Sequence, residues 1–333
     1  MPMTLPLRAA AGSCLLALSA LAGVHATPPN APAPERGVNE WLMRMQDASR
    51  LRSYAGTFVV SSSGGALSSA RIWHSGDRTQ QIERVEMLTG SPRSTFRRND
   101  EVLTFLPEKR VVRAEKRDSL GLFPHLLKSE DTAIPEFYAA RRMGNDRVAG
   151  FDADVVQLAP KDALRFGYRV WSEKRSGLVI KLQTLDGEGK VLEQVAFSEL
   201  QMDAPVRADK LSQMMQPPQG WRVERAHAVR TDAAAEGWAL KAPVAGFKPM
   251  NCYKRPAATG APGGIQWIFS DGLAAVSLFV EPYDRERHTQ EGLFASGATH
   301  TLARRVEDWW LTAVGEVPAP TLKAFAQSLE RRR

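Results

Sequence analysis

Between Gly56 and Leu200, apolar residues recur mostly at every second position, in short runs broken by Gly-, Asn- and Asp-containing turns. Alternation of this kind marks half-buried β-strands. The runs are Gly56–Ser61, Ala70–His74, Gln80–Leu88, Ser94–Arg98, Val102–Leu106, Asp146–Val148, Asp154–Leu158, Arg165–Trp171, Leu178–Leu185 and Val191–Leu200. The last two flank Asp186-Gly187-Glu188-Gly189, a strong hairpin signal. Asp118–Glu136, with Gly121, Pro124 and Pro135, reads as a loop or short helices. Ahead of the strands, Trp41, Leu42, Met45 and Ala48 fall on one face at helical spacing, which predicts a helix from an Asn39 cap to about Leu51. An antiparallel sheet of about ten strands must close or curve strongly to bury one face. The expected fold is therefore α+β and mainly antiparallel β. Residues 37–202 form a half-open barrel with helices in its concave side, and that concavity can hold a lipid chain.

The pattern changes at Asp203–Gly220. Pro205, Met214-Met215, Pro217-Pro218 and Gly220 predict a linker over 203–220, whose first part could extend a helix. Residues 221–333 read as a smaller α+β domain. Trp221–Val229 is strand-like, and Ile265–Ser270 and Ala274–Glu281 flank the tight turn Asp271-Gly272-Leu273. His300–Arg305 and Trp309–Val314 follow, and Leu322, Phe325, Ala326 and Leu329 mark a terminal helix from near Thr321. Gly237–Lys248 and Lys254–Gly264 read as loop-rich.

The first 26 residues read as a signal peptide, with Arg8 as n-region, Ala9–Val24 as h-region and small residues at Val24 and Ala26 before the cut. Cys14 raises the alternative of a lipoprotein signal. Residues 27–36 are a Pro-rich flexible leader. The expected compartment is the bacterial periplasm, with secretion as the alternative. Cleavage leaves only Cys252 of the two cysteines, so an intramolecular disulfide is excluded. The formal charge of +7 favours an acidic or anionic partner, and export disfavours nucleic acid.

Catalytic motifs are missing. His74, His125, His227, His288 and His300 are scattered singly, with no H-E-x-x-H, C-x-x-C or G-x-S-x-G and no phosphate-cradling loop. No enzyme activity, metal or cofactor is expected, and a hydrolase would rest only on ordinary loop Ser and His residues. What stands out is Arg97-Arg98 inside the Glu83–Pro107 block. An arginine fork grips a phosphate bidentately, and adjacent strand residues face opposite ways, so at most one of the pair faces a cavity. The lipid-binding candidates are Phe58, Arg97, Arg98, Phe105, Tyr168 and Trp171. The partner-binding candidates are Trp267, Phe269, Phe279, Trp309 and Trp310, the last two placing one indole on each strand face.

Several ordered blocks resemble one known family. They are Tyr54-x-Gly56-Thr57-Phe58-Val59, Arg71-Ile72-x-His74, Arg97-Arg98-Asn99-Asp100-Glu101-Val102, Arg165-x-Gly167-Tyr168-Arg169-x-Trp171, Gly177-Leu178 and Val191-Leu192-Glu193-Gln194. They continue with Phe269-Ser270-Asp271-Gly272-Leu273-Ala274, Phe279-Val280-Glu281 and Val314-Gly315-Glu316-Val317-Pro318. The chain resembles the RseB/MucB family of periplasmic negative regulators of the sigma-E envelope-stress response, over nearly all of its mature length. The resemblance implies a larger domain similar to the lipoprotein carriers LolA and LolB. It implies binding to the periplasmic part of an RseA/MucA-type anti-sigma factor, which is thereby shielded from a DegS-type protease. It also implies release by lipopolysaccharide or a related anionic lipid. No family motif assigns single contact residues, so the candidates above rest on their chemistry. A periplasmic lipid or lipoprotein carrier is the rival reading, and a homo-oligomer is left open.

Overall fold

The computed structural model describes residues 36–116, 123, 127, 133–225, 228–255 and 263–332. The expected signal peptide, nearly all of the leader and most of Asp118–Glu136 lie outside the described residues. Helix α1 (Val38–Leu51) starts one residue before the expected Asn39 cap, with Gly37 at the N-cap position. Glu40 in its first turn and Arg50 in its last complement the helix dipole. Its periodic Trp41, Leu42 and Met45 are buried.

Strands β1 (Tyr54–Ser62), β2 (Leu67–Gly76), β3 (Gln81–Met87), β4 (Ser94–Arg98), β5 (Glu101–Leu106) and β6 (Val111–Lys116) follow as a meander. The short helix α2 (Ile134–Phe137) leads into β7 (Tyr138–Val148), β8 (Phe151–Pro160), β9 (Gly167–Glu173), β10 (Val179–Leu185) and β11 (Val191–Met202). Helix α3 (Ala208–Met214) and β12 (Arg222–Arg225) complete the larger lobe. The twelve strands run in the order β12-β6-β5-β4-β3-β2-β1-β11-β10-β9-β8-β7. All pairings are antiparallel except β12 on β6. β12 and β7 do not pair with each other, so the curved sheet stays open, as a half-barrel should.

The two faces bury different things. On the inner face, Trp41, Leu42 and Met45 of α1 pack against Val156, Leu158, Tyr168 and Val170. On the outer face, Ile82, Phe96, Leu103, Phe105 and Val112 pack against Leu211 and Met215. Each fully buried side chain of this size contributes about 1.5–3 kcal/mol relative to exposure.

The smaller lobe contains β13 (Val229–Thr231), β14 (Trp238–Leu240), β15 (Lys248–Arg255), β16 (Gly264–Ser270), β17 (Ala275–Pro282), β18 (Gly292–Ser296), β19 (Thr299–Val306) and β20 (Trp309–Gly315), then α4 (Ala319–Ser328) and β21 (Leu329–Arg331). Seven of these form an antiparallel sheet in the order β13-β15-β16-β17-β20-β19-β18, and β14 pairs with β21. Leu322 and Phe325 of α4 fill one face of that sheet beside Phe269, Leu278 and Leu311.

Two expectations change. Residues 203–220, read as a linker, contain α3; the prolines bound the helix, and Leu211 and Met215, one turn apart, seal the outer face. Arg222–Arg225, read as the start of the smaller domain, is instead an edge strand of the larger sheet. Truncating Leu211 to Ala should therefore destabilise the larger lobe by about 2–5 kcal/mol. The check is the midpoint of denaturant unfolding, which should move down without loss of cooperativity.

Candidate functional site

Strand alternation aims Phe58 and Val60 of β1, Val85 and Met87 of β3, Leu182 of β10 and Val195 of β11 into one cavity of about 280 Å³. Tyr168 of β9 shares it. Phe58 also meets Phe123, at 5.6 Å between ring centroids. Besides the Tyr168 hydroxyl, the polar lining consists of Ser68, Ser69, Thr95, Thr184, Arg93, Glu193 and Glu316. Tyr168 is 2% exposed, and its hydroxyl has no hydrogen-bond partner among the described residues. Burial, with Asp271 and Glu316 nearby, pushes its phenol well above the usual range.

The expected lipid contacts separate. Phe58 and Tyr168 line the cavity. Trp171, three positions from Tyr168, faces the other way; its indole N–H donates to Asp146 Oδ2 at 2.7 Å, and Lys181 Nζ lies 4.3 Å from its ring centroid. Phe105 is on the outer face against Phe96 and Trp221. Arg98 is exposed and paired with Glu101 at 2.8 Å. Arg97 does face inward but is only 8% exposed and does not line the cavity.

Arg97 belongs to a buried cross-strand row: Tyr54, His74, Glu83, Arg97 and Val102 are successive partners from β1 to β5. Tyr54 stacks on His74 at 4.7 Å. His74 Nδ1 donates to the Arg52 carbonyl at 2.8 Å, and Arg97 Nε donates to the Asn99 carbonyl at 2.8 Å. The cavity's own arginine is Arg93, two residues before Thr95 on the same face. The period of two extended one step back from Thr95 would have found it.

Leu273 and Glu316 reach this cavity from the smaller lobe. What carries them there is a buried ion pair. Arg165 Nε donates to Asp271 Oδ2 at 2.8 Å, and neither side chain is exposed. The Tyr138 hydroxyl donates to the same oxygen at 3.2 Å. The Arg165 guanidinium also donates to Asp162 and, at 2.6 Å, to the Ala245 carbonyl. It lies 4.2 Å from the Phe137 ring centroid and 5.0 Å from that of Phe247. Gly246, at φ +78°, passes so close that a Cβ would overlap Arg165 Nη2 and the Phe137 ring. Nearby, Thr321 Oγ1 donates to the Leu164 carbonyl at 2.6 Å.

The expected partner contacts are mostly engaged inside the smaller lobe. Phe269 is core, against Trp267 and Phe325. Trp309 meets Trp238 at 5.4 Å, with the Arg331 guanidinium 4.8 Å from its ring centroid. Trp310 is buried under His288, stacked at 4.8 Å. Phe279, half-buried on the open sheet face with Arg255 5.5 Å from its centroid, is the most available of the five.

Residues 37–215 match the MucB/RseB N-terminal domain, and residues 232–330 match the MucB/RseB C-terminal domain. The chain belongs to the MucB/RseB family. It is similar to the sigma factor AlgU regulatory protein MucB of Pseudomonas aeruginosa, with 27% identity covering 95% of this chain and 96% of that one. It is likewise similar to the sigma-E factor regulatory protein RseB of Haemophilus influenzae, at 24% identity over 98% and 99% of the two chains. Among solved structures it matches the crystal structure of MucB in complex with MucA(peri), with a TM-score of 0.66 and 25% identity over 89% of this chain and 99% of that one. The complex structure of Pseudomonas aeruginosa MucA/MucB gives 0.67 and 26% over 88% and 98%. The ion pair between the lobes thus joins two of the resemblance-bearing blocks, those containing Arg165 and Asp271.

Two outcomes follow from the buried groups. Arg97→Glu would set a second carboxylate opposite buried Glu83, so it should cost about 3–5 kcal/mol, seen as a lowered unfolding midpoint. Tyr54, Tyr138 and Tyr168 all have phenols raised mainly by burial. The folded state therefore holds these protons more tightly than the unfolded chain. Their stabilisation is intact below about pH 10, the unfolded phenol value, and is lost as pH rises above it, by up to about 1.4 kcal/mol per tyrosine per pH unit. Denaturant titrations from pH 8 to 11 should show that slope, and Tyr168→Phe should make it shallower.

Proposed function

We propose that this protein is a periplasmic negative regulator that binds the periplasmic region of a MucA/RseA-type anti-sigma factor. Bound, it shields that region from regulated proteolysis. Lipopolysaccharide or a related lipid, with acyl chains in the inner-face cavity, releases it. The protein acts as a binding module and not as an enzyme, and residues 1–26 direct it to the periplasm.

The observation that carries this reading is family membership across both lobes, together with a relative solved in complex with MucA(peri) at a TM-score of 0.66. The excess of positive charge suits an acidic partner segment or an anionic lipid. The apolar cavity supports the lipid step, since it sits on the face where a half-barrel would hold a chain. The same cavity favours the rival reading, a lipid carrier. The smaller lobe weighs against that rival, because a carrier needs only the curved sheet, whereas here a second lobe closes over it.

The test is a titration of the mature protein with a synthetic periplasmic segment of an RseA/MucA-type anti-sigma factor, with and without lipopolysaccharide. The expected result is saturable binding that lipid weakens about 5–150-fold, the usual range of such coupling. Binding that lipid leaves unchanged would remove the lipid switch. No segment binding, with lipid transfer between vesicles, would establish the carrier.

A further inference from the structure

The cavity looks like a property of the larger sheet, yet part of its wall belongs to the smaller lobe. Leu273 is 1% exposed and packs with Tyr138, Tyr168 and Val170. One carboxylate fixes it there. Asp271 Oδ1 accepts the N–H groups of Leu273 at 2.9 Å and Ala274 at 2.7 Å, while Oδ2 accepts from Arg165 and Tyr138. Glu316 enters beside it, between the end of β20 and Val317, whose carbonyl accepts from His300 Nδ1 at 2.7 Å. The His300 ring meets Phe166 of the larger lobe at 5.6 Å.

The size of the cavity makes this placement consequential. At about 280 Å³ it falls at the lower edge of the roughly 300–1,000 Å³ of sites that hold drug-sized molecules. An amphiphile with several acyl chains needs more room. The sheet walls are fixed by ladders, β1 between β2 and β11, and β10 between β9 and β11. The wall supplied by the smaller lobe is held by side-chain contacts, and is the one that can move without breaking a strand pairing.

We propose that Leu273 and Glu316 form the ceiling of the ligand site, and that the Arg165–Asp271 pair sets whether a multi-acyl anionic amphiphile is admitted. The inference rests on the lipid-release reading and adds to it the groups that gate the site. A partner lying across both lobes would hold the ceiling down and oppose the ligand. By reciprocity the ligand would oppose that partner to the same degree.

The test uses three mature proteins: the wild type, Asp271→Asn and Leu273→Ala. Asp271→Asn keeps an oxygen for the two turn N–H groups but turns an N–H donor toward Arg165, which opens the pair. Leu273→Ala removes the ceiling side chain and leaves the pair intact. Each is titrated with lipopolysaccharide and, separately, with N-phenylnaphthylamine, a fluorescent probe small enough for the closed cavity. Lipopolysaccharide affinity should rise about fivefold or more in both variants, the scale of a typical coupling, while the affinity of Asp271→Asn for the small probe stays unchanged. Thermal melts establish folding, and if Asp271→Asn fails to fold, Leu273→Ala carries the test. Unchanged lipopolysaccharide affinity in the folded variants would overturn the gate and leave lipid release standing. No lipopolysaccharide binding by any of the three would overturn both.

Discussion

The ion pair between Arg165 and Asp271, with neither side chain exposed, is the constraint on which the rest of this molecule depends. Two sheets with separate cores could meet at many angles. A buried guanidinium and a buried carboxylate tolerate only one arrangement, because each must keep its hydrogen bonds or lose several kcal/mol of solvation. Here the accounts are complete. Arg165 reaches Asp162, Asp271 and the Ala245 carbonyl, with Phe137 and Phe247 beside its plane. Asp271 takes Tyr138 and two turn N–H groups besides. Such a pair specifies a register more than it adds net stability.

That register has a functional consequence. Because Asp271 lies two residues before Leu273, fixing the lobes also fixes the ceiling of the cavity. Site volume and lobe arrangement then become one variable. In a regulator of the MucB/RseB family, a ligand that needs a larger cavity and a partner that needs docked lobes would compete without touching the same residues. Such competition would be coupling through a two-state element, the physical content that the word allosteric requires.

Much of the fold was legible in the chain, and the missed elements, interior β6 and β15 among them, do not share one cause. The hairpins at Asp186-Gly187-Glu188-Gly189 and Asp271-Gly272-Leu273 were readable because turn chemistry and alternation coincide there. Most of β7 was missed: its residues, Arg141, Arg142, Met143 and Arg147 among them, sit on an exposed sheet edge, where no buried face imposes a period. β18, the exposed edge of the other sheet, was missed for the same reason. Helix α3, allowed for in the first part of 203–220 but not placed, lies between prolines, and Leu211 and Met215 are what anchor it. At the site, Phe58 and Tyr168 were legible only as aromatics on strands, a criterion that equally picked Phe105 and Trp171, which do not line the cavity. Arg97 had the right parity but the wrong depth, which depends on cross-strand neighbours that no local pattern reveals. The Arg165–Asp271 pair spans 106 positions, and only its presence in two resemblance-bearing blocks hinted at it.

The central claim is that ligand occupancy and lobe arrangement are one equilibrium. The most direct measurement places spin labels on cysteines introduced at exposed Met143 in the larger lobe and exposed Phe294 in the smaller; the native Cys252 is buried, and burial raises its thiol pKa to about 11, so it stays unlabelled. Distances are then read by pulsed dipolar spectroscopy, with and without lipopolysaccharide. The account predicts a second distance population that grows with lipid and shrinks when the anti-sigma segment is added. A single distribution, unchanged by saturating lipid, would contradict it.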